Sequence, residues 1–389
     1  RHNDRKCKAR VESLAATSLF LVIFTVSGSS SGATRTWDGG GANSNASTAA
    51  NWSDDTAPVT GDAIVLDTTT HKSMKWDLDI SVASWRQVGY TGTVEVATVY
   101  PGQGAFTNFT ILGDCIISNG VWTHANNSGS EVNRLCVTIL GDLITGPDGA
   151  IDVIGKGYVG RTGPGYTGSH GGRGAGWGNL GGLCYGSIVA PINLGSAGWA
   201  VNGGGAVLLT IGGGLRHAGL ITADGISANT ASAGGSIWLT SGSLSGAGVI
   251  RANGYGGGRV ALTVTNEGAD FQSYAGTVTA FSGGKSYGAG TVYLRVAGEE
   301  LHEGTLIVDN GGTATAGYTE ISSNVTGTLV RNVILRGRGV LALATNQTLT
   351  VSGTWSNSAT FVAQSGSQVI FAGGASSTSS VYGSNTFMG

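Results

Sequence analysis

Apolar and β-branched residues come in short runs along this chain, and each run soon ends at glycine, serine or asparagine. The stretch Gly234 to Gly257, GGSIWLTSGSLSGAGVIRANGYGG, shows the pattern. Ser236 to Thr240 and Val249 to Asn253 carry the apolar residues, and small residues separate them. Short runs bounded by turn formers predict β-strands. Beyond the N-terminal leader, no stretch keeps a 3.6-residue apolar period over the length of a helix, so no helical layer is expected.

The runs repeat. Gly205-Ala-Val-Leu-Leu-Thr210, Gly235-Ser-Ile-Trp-Leu-Thr240, Gly258-Arg-Val-Ala-Leu-Thr263 and Gly290-Thr-Val-Tyr-Leu-Arg295 follow one pattern at spacings of 30, 23 and 32 residues. A second strand follows at a similar offset, first Leu220 to Gly225 and then Val249 to Gly254. Upstream, Thr110-Ile-Leu-Gly-Asp114 returns 28 residues later as Thr138-Ile-Leu-Gly-Asp142. A unit of this length without a helix cannot bury its own apolar side and must stack on a copy of itself. Parallel stacking at about 4.8 Å per layer makes a β-solenoid with inward columns of Val, Ile and Leu and with glycine or asparagine at the corners. The predicted fold is all-β, a right-handed parallel β-helix. An antiparallel sandwich or barrel would also show short strands and glycine-rich turns. Strand pairs recurring in a fixed order, with insertions at one place, favour the solenoid.

The organisation that follows has five parts: a leader over 1–33, a tryptophan-containing cap or first coil over 34–70, coils over 71–154, a glycine-rich insertion over 155–205, and coils over 206–389. In the last part, Thr328 to Leu335, Val340 to Leu343, Thr348 to Val351, Thr360 to Ala363 and Gln368 to Ala372 read as strands. The chain stops at GSNTFMG without a polar cap, so the natural protein is expected to continue.

Composition adds a cellular setting. Glycine supplies 69 of 389 residues, and only 11% are charged, against about 25% in a typical globular protein. Thr, Ser, Asn and backbone amides must cover the surface, as in many secreted β-structures. Arg1, Arg5, Lys6, Lys8 and Arg10 precede the apolar stretch Leu14 to Val26, and SGSSSGA follows with Ser31 and Ala33 at small-residue positions. This is the order of a secretory signal peptide, and the apolar run is short for a membrane span. Removing the five basic and two acidic residues of 1–33 from the 21 and 23 of the chain leaves a net charge of −5. Such a chain lacks the concentrated basic face that nucleic acid requires. Cys7 leaves with the leader. Cys115, Cys136 and Cys184 form no framework, and a Cys115–Cys136 bridge and buried free thiols both remain open.

Two regions resemble known proteins. Trp37, Asp38, Gly39 to Gly41, Ala49 to Trp52, Pro58, Gly61 and Asp62 resemble the opening of autotransporter-like and adhesin-like β-helix proteins of bacteria. Ala46-Ser47 stands where that pattern has a first Trp-Ser. The block Ile151 to Leu262 is similar to glycine-rich repeat regions of large secreted proteins of planctomycete-type bacteria, through Gly155 to Tyr158, Tyr185 to Ser187, Pro191, Leu194 to Ser196 and the Gly-Gly-x-Ile/Val-x-Leu-Thr strands. The resemblance spans roughly two-thirds of the chain. It implies a secreted or surface-exposed β-helix with an adhesive or structural role, and it brings no catalytic motif.

The residues themselves offer little chemistry. Gly155 to Gly160 fits G-x-G-x-x-G, but more glycine and Pro164 follow where a dinucleotide site needs a helix. The five histidines of the mature chain, His71, His124, His170, His217 and His302, have no metal-ligand spacing. GGRGAG at Gly171 lacks the aspartate of a calcium nonapeptide, so neither metal nor cofactor is expected. A glycoside hydrolase needs two carboxylates on one exposed face. Of the strand-borne candidates Asp142, Asp152, Asp224 and Asp309, Asp142 and Asp224 sit beside glycines, and each of the four reads as a turn residue. Arg251 and Arg295 read as solvent-facing strand residues that could also meet an anionic sugar.

Loops leaving a rigid scaffold tend to carry binding, so the insertion is the candidate site. Tyr158, Tyr166, Trp177, Tyr185 and Trp199, with Arg161 and Arg173 and the neighbouring Lys156 and His170, form the candidate glycan-binding set. Packing of these rings against the solenoid is the competing account. The expected function is a non-catalytic, secreted or cell-surface, adhesin-like β-helix. A β-helix polysaccharide lyase or glycoside hydrolase, a glycan-binding module and a self-assembling filament subunit joined through sheet ends are the alternatives. Expected partners are extracellular polysaccharide or cell-surface glycan, with no nucleic acid and no membrane span in the mature chain.

Overall fold

The computed structural model describes residues 32–176, 179–226, 232–373, 379–383 and 385. Among them the protein is all-β, with one 3-10 turn at Ala49–Asn51 and no α-helix. No described helix is long and apolar enough to cross a membrane. The leader read at 1–33 lies outside the described residues, apart from its last two positions.

The strands pair in three parallel ladders. The first runs through Thr34–Thr36, Ala63–Leu66, Ser84–Gln87 and the opening residues of Cys115–Thr123 and Leu143–Asp152, then the closing residues of Ala206–His217 and Ser236–Ser245. The second takes Met74–Trp76, Thr93–Val96, the closing residues of Cys115–Thr123 and Leu143–Asp152, then Leu220–Thr222, Val249–Arg251 and Thr277–Thr279. The third takes Ser81–Val82, Phe109–Ile111, Leu135–Ile139, the opening residues of Ala206–His217 and Ser236–Ser245, then Arg259–Val264 and Thr291–Arg295. One detail departs from the sequence reading. Ser241 to Ser245 reads as a turn but continues the Ser236–Ser245 strand, which bends from the third ladder to the first.

Period-2 alternation sets the inside and outside of each ladder. In the second ladder Met74, Val94, Trp122, Ile151, Ile221 and Ile250 stand in register, all fully or almost fully buried. Burying each such side chain stabilises by about 1.5–3 kcal/mol. Near the start, Trp76, Trp85, Phe109 and Trp122 pack edge-on or tilted with ring centroids 4.9–6.2 Å apart. Trp37, Ala46 and Trp52 are buried beside them in the same core.

Where the third ladder ends, among the described residues, the direction changes. Thr291–Arg295 pairs antiparallel with Thr305–Asp309. Parallel pairing then resumes through Asn332–Arg336, Thr354–Asn357 and Ser380–Gly383. Two short ladders accompany these strands: Thr319–Ile321, Val340–Leu343 and Thr360–Ala363, and Leu329–Val330, Thr348–Val351 and Gln368–Phe371. The core changes sides at the same place. Val292 and Ile307 belong to the core of the first three ladders, whereas Tyr293, Leu306, Val308, Val333, Leu335 and Trp355 belong to a second core on the other face of the same sheet.

The glycine-rich insertion helps build that second core. Cys184, Ile188 and Val189 pack into it together with Ala261, from the outer face of the third ladder. Gly186–Ser187 pairs in parallel with Val325–Thr326. The segment is therefore a layer between two groups of strands along much of its length.

Candidate functional site

Three of the candidate residues hold the insertion in place. Tyr185 is buried, and its hydroxyl donates to the Leu194 carbonyl at 2.5 Å and lies 2.9 Å from Ser196 Oγ. Burial holds this phenol well above its ordinary pKa. Tyr158 is buried with Tyr100, Leu194 and Ala197 in a small satellite core. Arg173 donates from Nη1 to Glu320 Oε1 at 2.8 Å, tying the insertion to the second group of strands. Arg173 also donates from Nε to the Gly181 carbonyl at 3.2 Å. The Lys156 carbonyl accepts from Asn127 Nδ2 at 2.8 Å. The sequence set is thus not one exposed cluster, because Tyr158, Tyr185 and Arg173 serve packing. Trp177 lies outside the described residues.

Two aromatics remain in solvent. Tyr166 is 51% exposed and Trp199 is 68% exposed. The Arg161 guanidinium lies over the Trp199 ring. Backbone hydrogen bonds from Arg161 to Gly198 and from Ala197 to Thr162 run the two segments side by side.

A polar group beneath the insertion escaped the sequence reading. In register on the outer face of the third ladder stand Ala206, Ser236, Arg259 and Thr291. Arg259 is fully buried; its Nε donates to the Tyr185 carbonyl at 2.9 Å and its Nη1 to Thr291 Oγ1 at 3.1 Å. Burial draws its pKa down to about 10, which still leaves it cationic at neutral pH. One arginine in a column of small residues was the available signal. His170 packs tilted against Tyr185 with ring centroids 4.7 Å apart and places Nδ1 2.8 Å from the Gly234 carbonyl, and burial pulls its pKa down to about 3. His124 Nε2 accepts from the Ala206 amide at 3.2 Å, and burial pulls this imidazole down to about 4.

The strand carboxylates are engaged locally. Asp142 accepts from the Gly214 amide at 2.8 Å and faces Arg216, Asp224 lies 2.8 Å from Arg251 Nε, Asp309 lies 2.8 Å from Arg336 Nε, and Asp152 accepts from the Ile154 amide. Burial pushes the Asp224 carboxyl up to about 6, against the opposing pull of the Asn253 amide and Arg251. Arg295 Nη1 donates to the Glu299 carbonyl at 2.7 Å. The G-x-G-x-x-G stretch leads into turns, not a helix. Cys115 points into the core of the first ladder, whereas Cys136 is half-buried on the third ladder with Sγ 3.4 Å from Asn108 Oδ1; both are free thiols, as is the buried Cys184. Among the described residues no group of three or more His, Cys, Asp or Glu is arranged to hold a metal ion.

Compared with protein-family models, curated proteins and solved structures, the chain matches none.

Proposed function

We propose that the chain is a right-handed parallel β-helix that works outside the cell as an adhesin-like scaffold without catalytic activity. The observation that carries this reading is the parallel pairing of successive repeats, with apolar columns on the inner face. The right hand follows the rule for parallel strands joined by crossovers. The antiparallel junction is compatible with one hand throughout. Reversing strand direction inverts the sense of winding, and moving the core to the opposite face of the sheet inverts it again.

The basic-then-apolar leader and the low charge support export. The ion-paired and turn-capping carboxylates support a scaffold over a glycosidase, whose acid and base must both face one substrate. Expression with its own leader in a secreting bacterial host tests the proposal. The mature chain is expected in the medium or on the protease-accessible surface, with no product from polyuronate, neutral or sulfated glycans. Retention in the cytoplasm would contradict export. Glycan turnover abolished by Asp224→Asn with Asp152→Asn would contradict the scaffold reading.

A further inference from the structure

We infer that Trp199, with Arg161 over one face of its ring, is a platform for an anionic pyranose of a polysaccharide. The inference names a ligand class for the extracellular scaffold proposed above and rests on that reading.

Three observations converge on this place. First, Trp199 is 68% exposed on a loop whose other described rings are largely packed away, and its partner segment is fixed by backbone hydrogen bonds. A large apolar ring on a backbone fixed on both sides loses less entropy than one on a free loop when a ligand covers it. Second, Arg161 has φ 66°, in the left-handed region that disfavours side chains. Most neighbouring left-handed positions are glycines, Gly160 at 54°, Gly163 at 107° and Gly168 at 81°, with Thr167 at 65° the one other side chain. In a segment so rich in glycine, an arginine kept at such a position points to a need for its side chain. Third, Arg161 has no carboxylate partner among the described ion pairs, and its Nη2 is shielded from water without an acceptor. The loop therefore presents an uncompensated positive charge against an aromatic face.

The apolar face of a pyranose fits the open side of the indole, and a ring carboxylate or sulfate at its edge compensates the guanidinium. A neutral sugar uses only the first of these features. Tyr166, 51% exposed on the turn closed by its amide hydrogen bond to the Gly163 carbonyl, is a second exposed ring of the same segment.

Binding of the purified mature chain to immobilised polyuronate, a sulfated polysaccharide and a neutral glucan tests this. Both anionic polymers are expected to bind, more weakly at high salt, and the neutral one to bind little. Trp199→Ala is expected to weaken binding about tenfold or more with an unchanged thermal midpoint, because the ring is exposed. Arg161→Leu should abolish the preference for anionic over neutral glycan, and Arg161→Lys should restore part of it. Leu140→Ala, another exposed apolar residue, should change nothing. No binding to either anionic polymer, or binding untouched by Trp199→Ala and Arg161→Leu, overturns the inference. Either result leaves the scaffold proposal standing, since that proposal is judged by export and by absence of turnover.

Discussion

The glycine that opens each repeat is set by the rung beneath it. A β-carbon on Gly235 would lie 1.9 Å from the Gly205 carbonyl oxygen, one on Gly258 would lie 2.2 Å from that of Gly235, and one on Gly290 would lie 1.9 Å from that of Gly258. The need is for close backbone approach, not for an unusual φ. Gly235→Ala must push two rungs apart, and a loss of about 2–3 kcal/mol in urea unfolding is expected; an unchanged midpoint would show that the rungs are not in contact. Lys72 shows the opposite case, a residue whose role the sequence hides. Its ammonium donates to the Gly39 carbonyl at 2.8 Å, the Gly41 carbonyl at 2.5 Å and Asn51 Oδ1 at 3.3 Å. Its own carbonyl accepts from Trp37 Nε1 at 2.9 Å and the Tyr90 hydroxyl at 2.8 Å. The resemblance singled out the Trp-Asp-Gly-Gly-Gly run, but nothing in that run names the lysine more than thirty positions later. Lys72→Met removes the ammonium and leaves the three acceptors, so a loss of about 1–3 kcal/mol is expected in the same assay.

Among the elements, the glycine-rich insertion differs most from its sequence reading. Alternation of apolar residues fails there because glycine supplies no side chain to alternate, so the pattern reads as a loop. Its partners are 147 and 138 residues away in sequence: Arg173 meets Glu320, and the Cys184 carbonyl accepts from Ser322 Oγ at 2.6 Å. If this layer supports the second group of strands, Arg173→Ala should destabilise Thr319–Ile321 and its neighbours more than the first three ladders. Hydrogen exchange should show faster opening there first; equal opening everywhere would contradict the role. Of the three buried histidines, His170 lies in the insertion and His124 accepts from the Ala206 amide just after it, so this layer is acid-sensitive. Both are held neutral, with pKa pulled down to about 4 for His124 and about 3 for His170. The unfolded chain takes up their protons near pH 6.5. Their contribution is therefore complete above that value and is lost as pH falls toward 4 and then 3, at up to about 1.4 kcal/mol per pH unit for each group. Urea midpoints should drop across this window, and His170→Gln should flatten the drop; a flat wild-type profile would place these rings in water.

At the scale of the whole molecule, the strands and their parallel stacking were legible, and the antiparallel junction was not. Val340–Leu343, Thr348–Val351 and Thr360–Ala363 stand at their predicted positions, and the Gly-x-β-x-Leu repeats form adjacent rungs. Each apolar run records a period and a buried side, which is enough to mark a strand. The turn to antiparallel at Thr305–Asp309 leaves no such mark. Both faces of Thr291–Arg295 and Thr305–Asp309 are apolar, because each strand serves two cores, so alternation cannot say which side is inside. The pair of Arg161 and the exposed Trp199 was legible only as two members of a larger set, since burial of Tyr158 and Tyr185 depends on partners in distant layers.

The stacking of successive repeats can be measured directly on the outer face of the third ladder, where Thr110, Thr138, Thr210 and Thr240 stand in register. With the native cysteines replaced, spin labels at Thr110 and each of the other three in turn should give separations that grow by about 4.8 Å per rung, in the order Thr138, Thr210, Thr240. Distances that alternate or fail to grow in that order would mean hairpin pairing instead, and would contradict the account.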